Sequence, residues 1–132
     1  MIQVICPVCG AALEPQGAAW RCAQGHCFDV ARQGYVNLLT VTQKHSRHPG
    51  DTREMVAARR AFLDAGWYAS IAKTLTDLVR RFCPEAASVL DAGCGEGYYL
   101  SQLGWVPERW GIDISRDAVR YAAARDRGAH WL

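Results

Sequence analysis

The run Val89-Leu90-Asp91-Ala92-Gly93-Cys94-Gly95-Glu96-Gly97 constrains the fold more than any other stretch of this chain. A short apolar segment starting at Ala87 ends on an acid and passes into a glycine-rich turn. That is the pattern of a buried strand that enters a tight turn and then a helix. Glycines there admit positive φ and let a ligand approach the backbone closely. Trp110-Gly111-Ile112-Asp113-Ile114 forms a second buried strand pattern, and Asp113 stands 22 residues after Asp91. The spacing predicts a helix over 98–103. Ser115 has the chemistry of an N-cap for a helix over 116–124. Residues 129–132 begin a third strand. Strand, helix, strand, helix, strand is the rhythm of a parallel sheet, so the class is α/β.

The turn opens a helix whose N-terminus favours a negative group, here the methionine carboxylate of S-adenosylmethionine. An acid at the end of the second strand is placed to accept hydrogen bonds from a ribose diol. A nicotinamide dinucleotide site needs glycine three residues after its second glycine. Counting from Gly95, that place holds Tyr98, and no phosphate-binding Lys or Arg follows. The order of acid, turn, helix, strand and second acid therefore favours S-adenosylmethionine. Asp91, Gly93, Gly95, Gly97, Tyr98, Asp113 and Ile114 are the expected cofactor residues. Cys94, between glycines and with no His nearby in sequence, reads as a small filler of the turn.

The N-terminal part is built differently. Cys6-Pro7-Val8-Cys9 is a C-x-x-C knuckle, and Cys22-Ala23-Gln24-Gly25-His26 offers a second pair after twelve intervening residues. Two short loops with two ligands each meet the tetrahedral demand of a structural zinc ion. So small a module buries little core, so metal binding supplies much of its folding energy. Spacing alone leaves His26 and its neighbour Cys27 as competing fourth ligands. Residues 1–39 are loop-heavy, with short strands expected around Trp20-Arg21 and Phe28-Asp29. Residues 40–51 are polar, basic and rich in turn formers, an exposed linker or binding loop. Asp51-Thr52-Arg53-Glu54 resembles a helix start capped by the acid, with Glu54 three residues on. That helix is expected to stop at Gly66. A second should span Tyr68 to Phe82 and end before Pro84. Three units follow from this: a zinc module over 1–39, a basic loop and helical connector over 40–85, and the α/β part over 86–132.

No run of about 18 apolar residues exists, and the first residues lack a signal-peptide pattern, so membrane association is not expected and the cytoplasm is the default. Disulfides are rare there, which leaves the six cysteines to other roles. Up to Arg81 there are ten Lys/Arg against six Asp/Glu, and from Phe82 onward five against seven. A mildly basic front half permits contact with nucleic acid. Lys44, Arg47, Arg53 and Arg60 are the candidate phosphate-binding residues, with His45 and His48 close by in sequence. Arg59 lies within a helical stripe of Met55, Val56, Phe62 and Leu63. Its stem packs there while the guanidinium reaches water, or the whole group is buried against an acid. The expectation here is that it is largely buried and paired.

The motifs occur in a specific order. They are Cys6-Pro-Val-Cys9, Cys22-x-x-x-His26-x-Phe28-Asp29, Gly34-Tyr35-Val36-Asn37-Leu38-Leu39, Pro49-Gly50-Asp51, Ala58-Arg59-Arg60-Ala61-Phe62-Leu63-Asp64-Ala65-Gly66-x-Tyr68 and Asp91-x-Gly93-Cys94-Gly95-Glu96-Gly97-Tyr98-Tyr99. Together they closely resemble the bacterial 23S ribosomal RNA guanine-N1 methyltransferases, including the macrolide-resistance branch, over nearly the whole chain. The resemblance implies zinc held by three Cys and one His, hence Cys6, Cys9, Cys22 and His26, with Cys27 only a neighbour. It implies methyl transfer from S-adenosylmethionine to a guanine in a hairpin of 23S rRNA, and a homodimer for the full-length family member. The fold it implies is a zinc-ribbon-like module followed by the first half of a Rossmann-like methyltransferase domain. Because the sheet pattern stops at the third strand, the domain is expected to be truncated, and this chain to be inactive alone. The alternative is a non-catalytic zinc-dependent RNA-binding module from a truncated gene.

Overall fold

The computed structural model describes residues 2–132. An antiparallel three-stranded sheet comes first, with β1 (Leu13–Gln16), β2 (Ala19–Cys22) and β3 (Cys27–Asp29) in that spatial order. Gly17, at φ +64, makes the β1–β2 turn possible. Leu13 pairs with Cys22 and Trp20 with Phe28. The two later strands lie where the sequence placed them. β1 was not anticipated, because Leu13-Glu14-Pro15-Gln16 carries one apolar residue and a proline. An edge position tolerates that proline.

A short 3₁₀ turn over Val41–Gln43 leads through the basic loop to α1 (Arg53–Asp64). Its cap is Thr52, whose side-chain oxygen accepts from the Met55 amide at 3.3 Å. The expected cap, Asp51, is engaged elsewhere. Its carboxylate pairs with Arg59 at 3.1 Å and its carbonyl accepts from the Ser115 hydroxyl at 2.7 Å. Gly66, at φ +87, ends the helix as expected. α2 (Ala69–Phe82) follows and stops ahead of Pro84.

The second sheet is parallel, in the order β4 (Ser88–Ala92), β5 (Glu108–Ile112), β6 (His130–Trp131). α3 (Tyr98–Ser101) and α4 (Arg116–Arg125) make the crossovers, and the Ser115 hydroxyl caps α4 by accepting from the Ala118 amide at 3.2 Å. Leu100, Leu103, Val106, Val119, Ala122 and Trp131 form the core on the helix side. Gly97 combines φ +83 with a position where a Cβ would lie 2.8 Å from the Trp131 ring, so only glycine fits. Among the described residues, no helix is long and apolar enough to cross a membrane.

The zinc-ribbon part and the parallel sheet share a core. Cys6, Leu13, Trp20, Cys22 and Val36 from the front pack with Trp110 of β5. The Trp20 and Trp110 rings meet edge-on at 5.8 Å, and His130 stacks on Trp110 at 4.2 Å. Tyr35 bridges Trp131 in parallel, and the Val36 amide donates to the Trp131 carbonyl at 2.9 Å. The chain leaving the ribbon thus covers the edge of β6. The other edge, β4, has no strand beside it among the described residues. Leu90 on β4 and Ile114 beyond β5 are exposed, although both fall in runs that read as buried strands, whereas Val89 and Ile112 are half-buried. On α2, Ile71, Leu75, Leu78 and Phe82 are also exposed. Their spacing puts them on one face of the helix.

Candidate functional site: a four-ligand metal centre beside a glycine-turn cleft

Cys6, Cys9, Cys22 and His26 bring their ligand atoms within 4.8 Å of one another. The Cys9 and Cys22 sulfurs are 3.7 Å apart, and His26 Nδ1 lies 3.6 Å from Cys6 Sγ and 3.4 Å from Cys22 Sγ. Zinc–sulfur bonds of about 2.3 Å in a tetrahedron require sulfurs about 3.8 Å apart. The donor set and its spacing therefore fit zinc. All four cysteines of the ribbon are free thiols rather than disulfides, and Cys27 stands outside the cluster, exposed on β3. Burial pushes the Cys22 thiol up, but hydrogen bonds from the His26 backbone and ring outweigh this and bring it down to about 6. Cys9 is raised, with burial and its sulfur neighbours outweighing a hydrogen bond from the Ala11 backbone. A thiolate poised at Cys22 is the form a metal binds.

The glycine turn joins β4 to α3. The Gly93 and Cys94 amides both donate to the Ile112 carbonyl, at 2.8 and 3.0 Å. Asp113 organises the turn from the next strand. Its Oδ2 accepts from the Gly95 amide at 2.9 Å and its Oδ1 from the Ser115 amide at 2.8 Å. Asp91 lies one residue before the end of β4, and burial followed by the nearby Asp113 charge raises its pKa. Cys94 is pushed up to about 12, first by burial and then by the Asp91 and Asp113 charges. A thiol held up in this way is protonated at neutral pH.

A cleft of about 1240 Å³ lies between these strand ends and the segment that comes out of the ribbon. Gly93, Asp113 and Ile114 line one side. Pro7 of the first knuckle and Tyr35–Leu39 line the other, with Lys44, Arg47 and Arg53 also on its surface. Asp91, Gly95, Gly97 and Tyr98, also expected at the cofactor, are not among the residues that line the cleft. Tyr98 is buried with Leu63 and Ala72, and Gly97 sits against Trp131. Arg60 faces a separate groove, where it pairs with Asp64 at 3.5 Å and lies over the Tyr121 ring. Arg116 and His48 also line the cleft. Arg116 drew no notice in the sequence because a helix-start arginine is ordinarily solvated.

Arg59 is paired as expected but is not buried. Its side chain is 56% exposed, and its partner Asp51 is at the surface as well. Only Val56 and Leu63 of the supposed stripe are buried, while Met55 and Phe62 are exposed. Residues seven apart form a narrow seam, and Arg59 lies at its border. The buried ion pair is elsewhere and was not foreseen. Glu96, 2% exposed, accepts from Arg125 at 2.6 Å, and the same guanidinium reaches Asp64 at 2.8 Å. Burial opposes the Arg125 charge, but these two acids outweigh it and raise its pKa. Glu96 Oε1 has no partner among the described residues.

A family model for the RlmA N-terminal zinc ribbon matches residues 4–47. A 23S rRNA (guanine(748)-N(1))-methyltransferase of Streptomyces fradiae is 43% identical over 89% of this chain and 43% of its own. A candidate 23S rRNA (guanine-N(1)-)-methyltransferase of Micromonospora griseorubida is 42% identical over 89% of this chain and 46% of its own. The chain is a relative of these methyltransferases. A third such relative, from Bacillus subtilis, is 31% identical over 96% of this chain and 47% of its own. The chain spans about half the length of the curated relatives it matches. Their similarity covers both the ribbon and the glycine turn.

Proposed function

We propose that this chain forms the cofactor-binding front of an enzyme that methylates N1 of a guanine in 23S rRNA, using S-adenosylmethionine. One observation carries the reading. A single cleft presents the glycine turn and Asp113 opposite a wall that rises from the zinc ribbon, with Lys44, Arg47 and Arg53 on the same surface. The names of the relatives supply the substrate. We further propose that residues 1–39, 40–85 and 86–132 act as ribbon, connector and cofactor-binding part, that the enzyme is cytoplasmic and, like the full-length family member, a homodimer, and that its target guanine lies in a hairpin.

The cofactor brings the methyl group as an electrophile, so the protein's work is positioning and desolvation. Each Asp113 oxygen already accepts one backbone hydrogen, and a carboxylate oxygen has room for a second, so both remain able to take ribose hydroxyls. Exposed Ile114 offers an apolar surface for the adenine. Asp91 carries an acid at the methionine end, where a cationic ammonium would relieve the repulsion from Asp113. Cys6, Cys9, Cys22 and His26 hold zinc structurally, since all four tetrahedral positions are taken. The cations at the cleft bind RNA phosphates.

The cleft is wide for a small ligand, and Ile114 and Leu90 are open to water. Competent sites bury roughly 70–90% of a small ligand. The 132-residue chain alone therefore binds the donor weakly and does not turn over. Calorimetry with S-adenosylmethionine and a radiolabelled methyl-transfer assay on a 23S rRNA hairpin test this. RNA binding with no donor binding at all would favour a non-catalytic zinc-dependent RNA-binding module instead. Tight donor binding together with turnover would show that this chain suffices.

A further inference from the structure

We propose that the zinc centre builds and holds one wall of the methyl-donor cleft, so that metal occupancy governs donor binding at a site to which the metal contributes no ligand. The identity of the donor rests on the proposed function; the mechanical coupling does not.

The path is continuous. Pro7, inside the Cys6–Cys9 knuckle, itself lines the cleft that Gly93 and Asp113 line from the other side. Cys6 and Cys22, two of the four ligands, are buried in one cluster with Val36 and Trp110, and Leu38 and Leu132 pack against it. Leu38 and Leu132 also face the cleft. Leu132 belongs to the strand end that fixes Asp113, because the Asp113 amide donates to its carbonyl at 3.3 Å. Asn37 Oδ1 accepts from the Leu39 amide at 3.1 Å and shapes the wall as it leaves the sheet.

Outside the ribbon itself, where Val30 bridges Val36 and the Ala31 amide donates to the Tyr35 carbonyl, few contacts hold this wall. Its backbone tie to the sheet is the Val36–Trp131 hydrogen bond. From Val36 onward its packing is the shared cluster, where the ligands Cys6 and Cys22 sit among Leu13 and Trp20 of the short strands, while Tyr35 packs on the helix-side core. A ribbon of this size depends on metal to stay folded. When zinc leaves, Cys6 and Cys22 lose their fixed positions, Leu38 loses its packing, and the Pro7 and Val36–Leu39 side of the cleft opens. The helix-side core around Leu100, Val119 and Ala122 shares no residue with that cluster, and it survives.

The test compares zinc-loaded chain with chain stripped by a chelator. Amide exchange is read residue by residue, and S-adenosylhomocysteine is titrated by amide shifts, which report weak binding as well as strong. On stripping, the Val36 amide loses protection about tenfold or more, together with Leu13 in the ribbon, while amides of α4 keep theirs. Affinity for S-adenosylhomocysteine falls about fivefold or more and returns when zinc is restored. Leu38→Ala leaves the four ligands intact, keeps one zinc per chain, and lowers the same affinity. Unchanged Val36 protection in stripped protein overturns the proposal, and so does equal loss in α4, which would mean that zinc holds the whole chain. Unchanged affinity in Leu38→Ala overturns it too. If zinc-loaded protein shows no shifts at Gly93 and Asp113, the cofactor reading fails, and the exchange data still decide the coupling.

Discussion

Three residues show how local chemistry divides between stability and function. Asp91 is held in a partly buried site next to Asp113, which raises its pKa. The native state therefore binds that proton more tightly than the unfolded chain, so this group stabilises the fold as pH falls through its folded pKa and costs stability at neutral pH. Asp91→Asn is expected to raise thermal stability by about 1 kcal/mol or less while weakening donor binding. A melting curve paired with a donor titration checks both halves, and a lower melting temperature would contradict the electrostatic account. Arg125 works in the opposite direction. Arg125→Ala leaves Glu96 buried without its cation and should cost about 3 kcal/mol or more, measured by denaturant unfolding. Arg59→Ala, which removes a pair open to water, should cost about 0–1 kcal/mol in the same measurement. The sequence reading expected Arg59 to be the buried, paired arginine and did not single out Arg125. Arg59 sat in a visible periodic stripe, whereas the Arg125–Glu96 pair spans 29 positions and two elements.

Elements were more legible than side-chain partners. The two knuckles, the strand ends at Asp91 and Asp113, the Ser115 cap and the Gly66 stop are local patterns, and each lies where the spacing put it. Thr52 replaced Asp51 as the cap of α1 because a tertiary contact claimed the acid. For the metal element, Cys22→Ser is expected to abolish zinc binding, while Cys27→Ser leaves one zinc per chain, read by metal analysis of purified protein. Zinc retained in the first variant, or lost in the second, would reassign the ligand set. For α2, Ile71, Leu75, Leu78 and Phe82 form an exposed apolar face. A patch of this kind promotes association. Leu75→Glu combined with Leu78→Lys should shift sedimentation toward monomer with little change in unfolding free energy. An unchanged association state would show that α2 is not the contact.

At the scale of the molecule, the parallel sheet has one covered edge and one bare edge. Tyr35 and Val36 cover β6. β4 is bare among the described residues, next to exposed Leu90. An unpaired strand edge with apolar side chains is a template for further pairing. The sequence by itself determined the ligand set up to the choice between His26 and Cys27, the α/β class, the glycine turn and its two acids. These are short-range patterns in which a few residues at fixed spacing meet the demands of a tetrahedral ion, a pleated strand or a helix cap. Tertiary structure alone decided that the ribbon and the sheet share a core through Trp20 and Trp110. It also decided that Pro7 and Asp113 face one cleft, that Arg60 faces another groove, and that Glu96 is neutralised by Arg125. Those contacts join residues far apart along the chain, and they depend on which side chains compete best for the interior once the elements pack together. No periodicity in one segment encodes that competition.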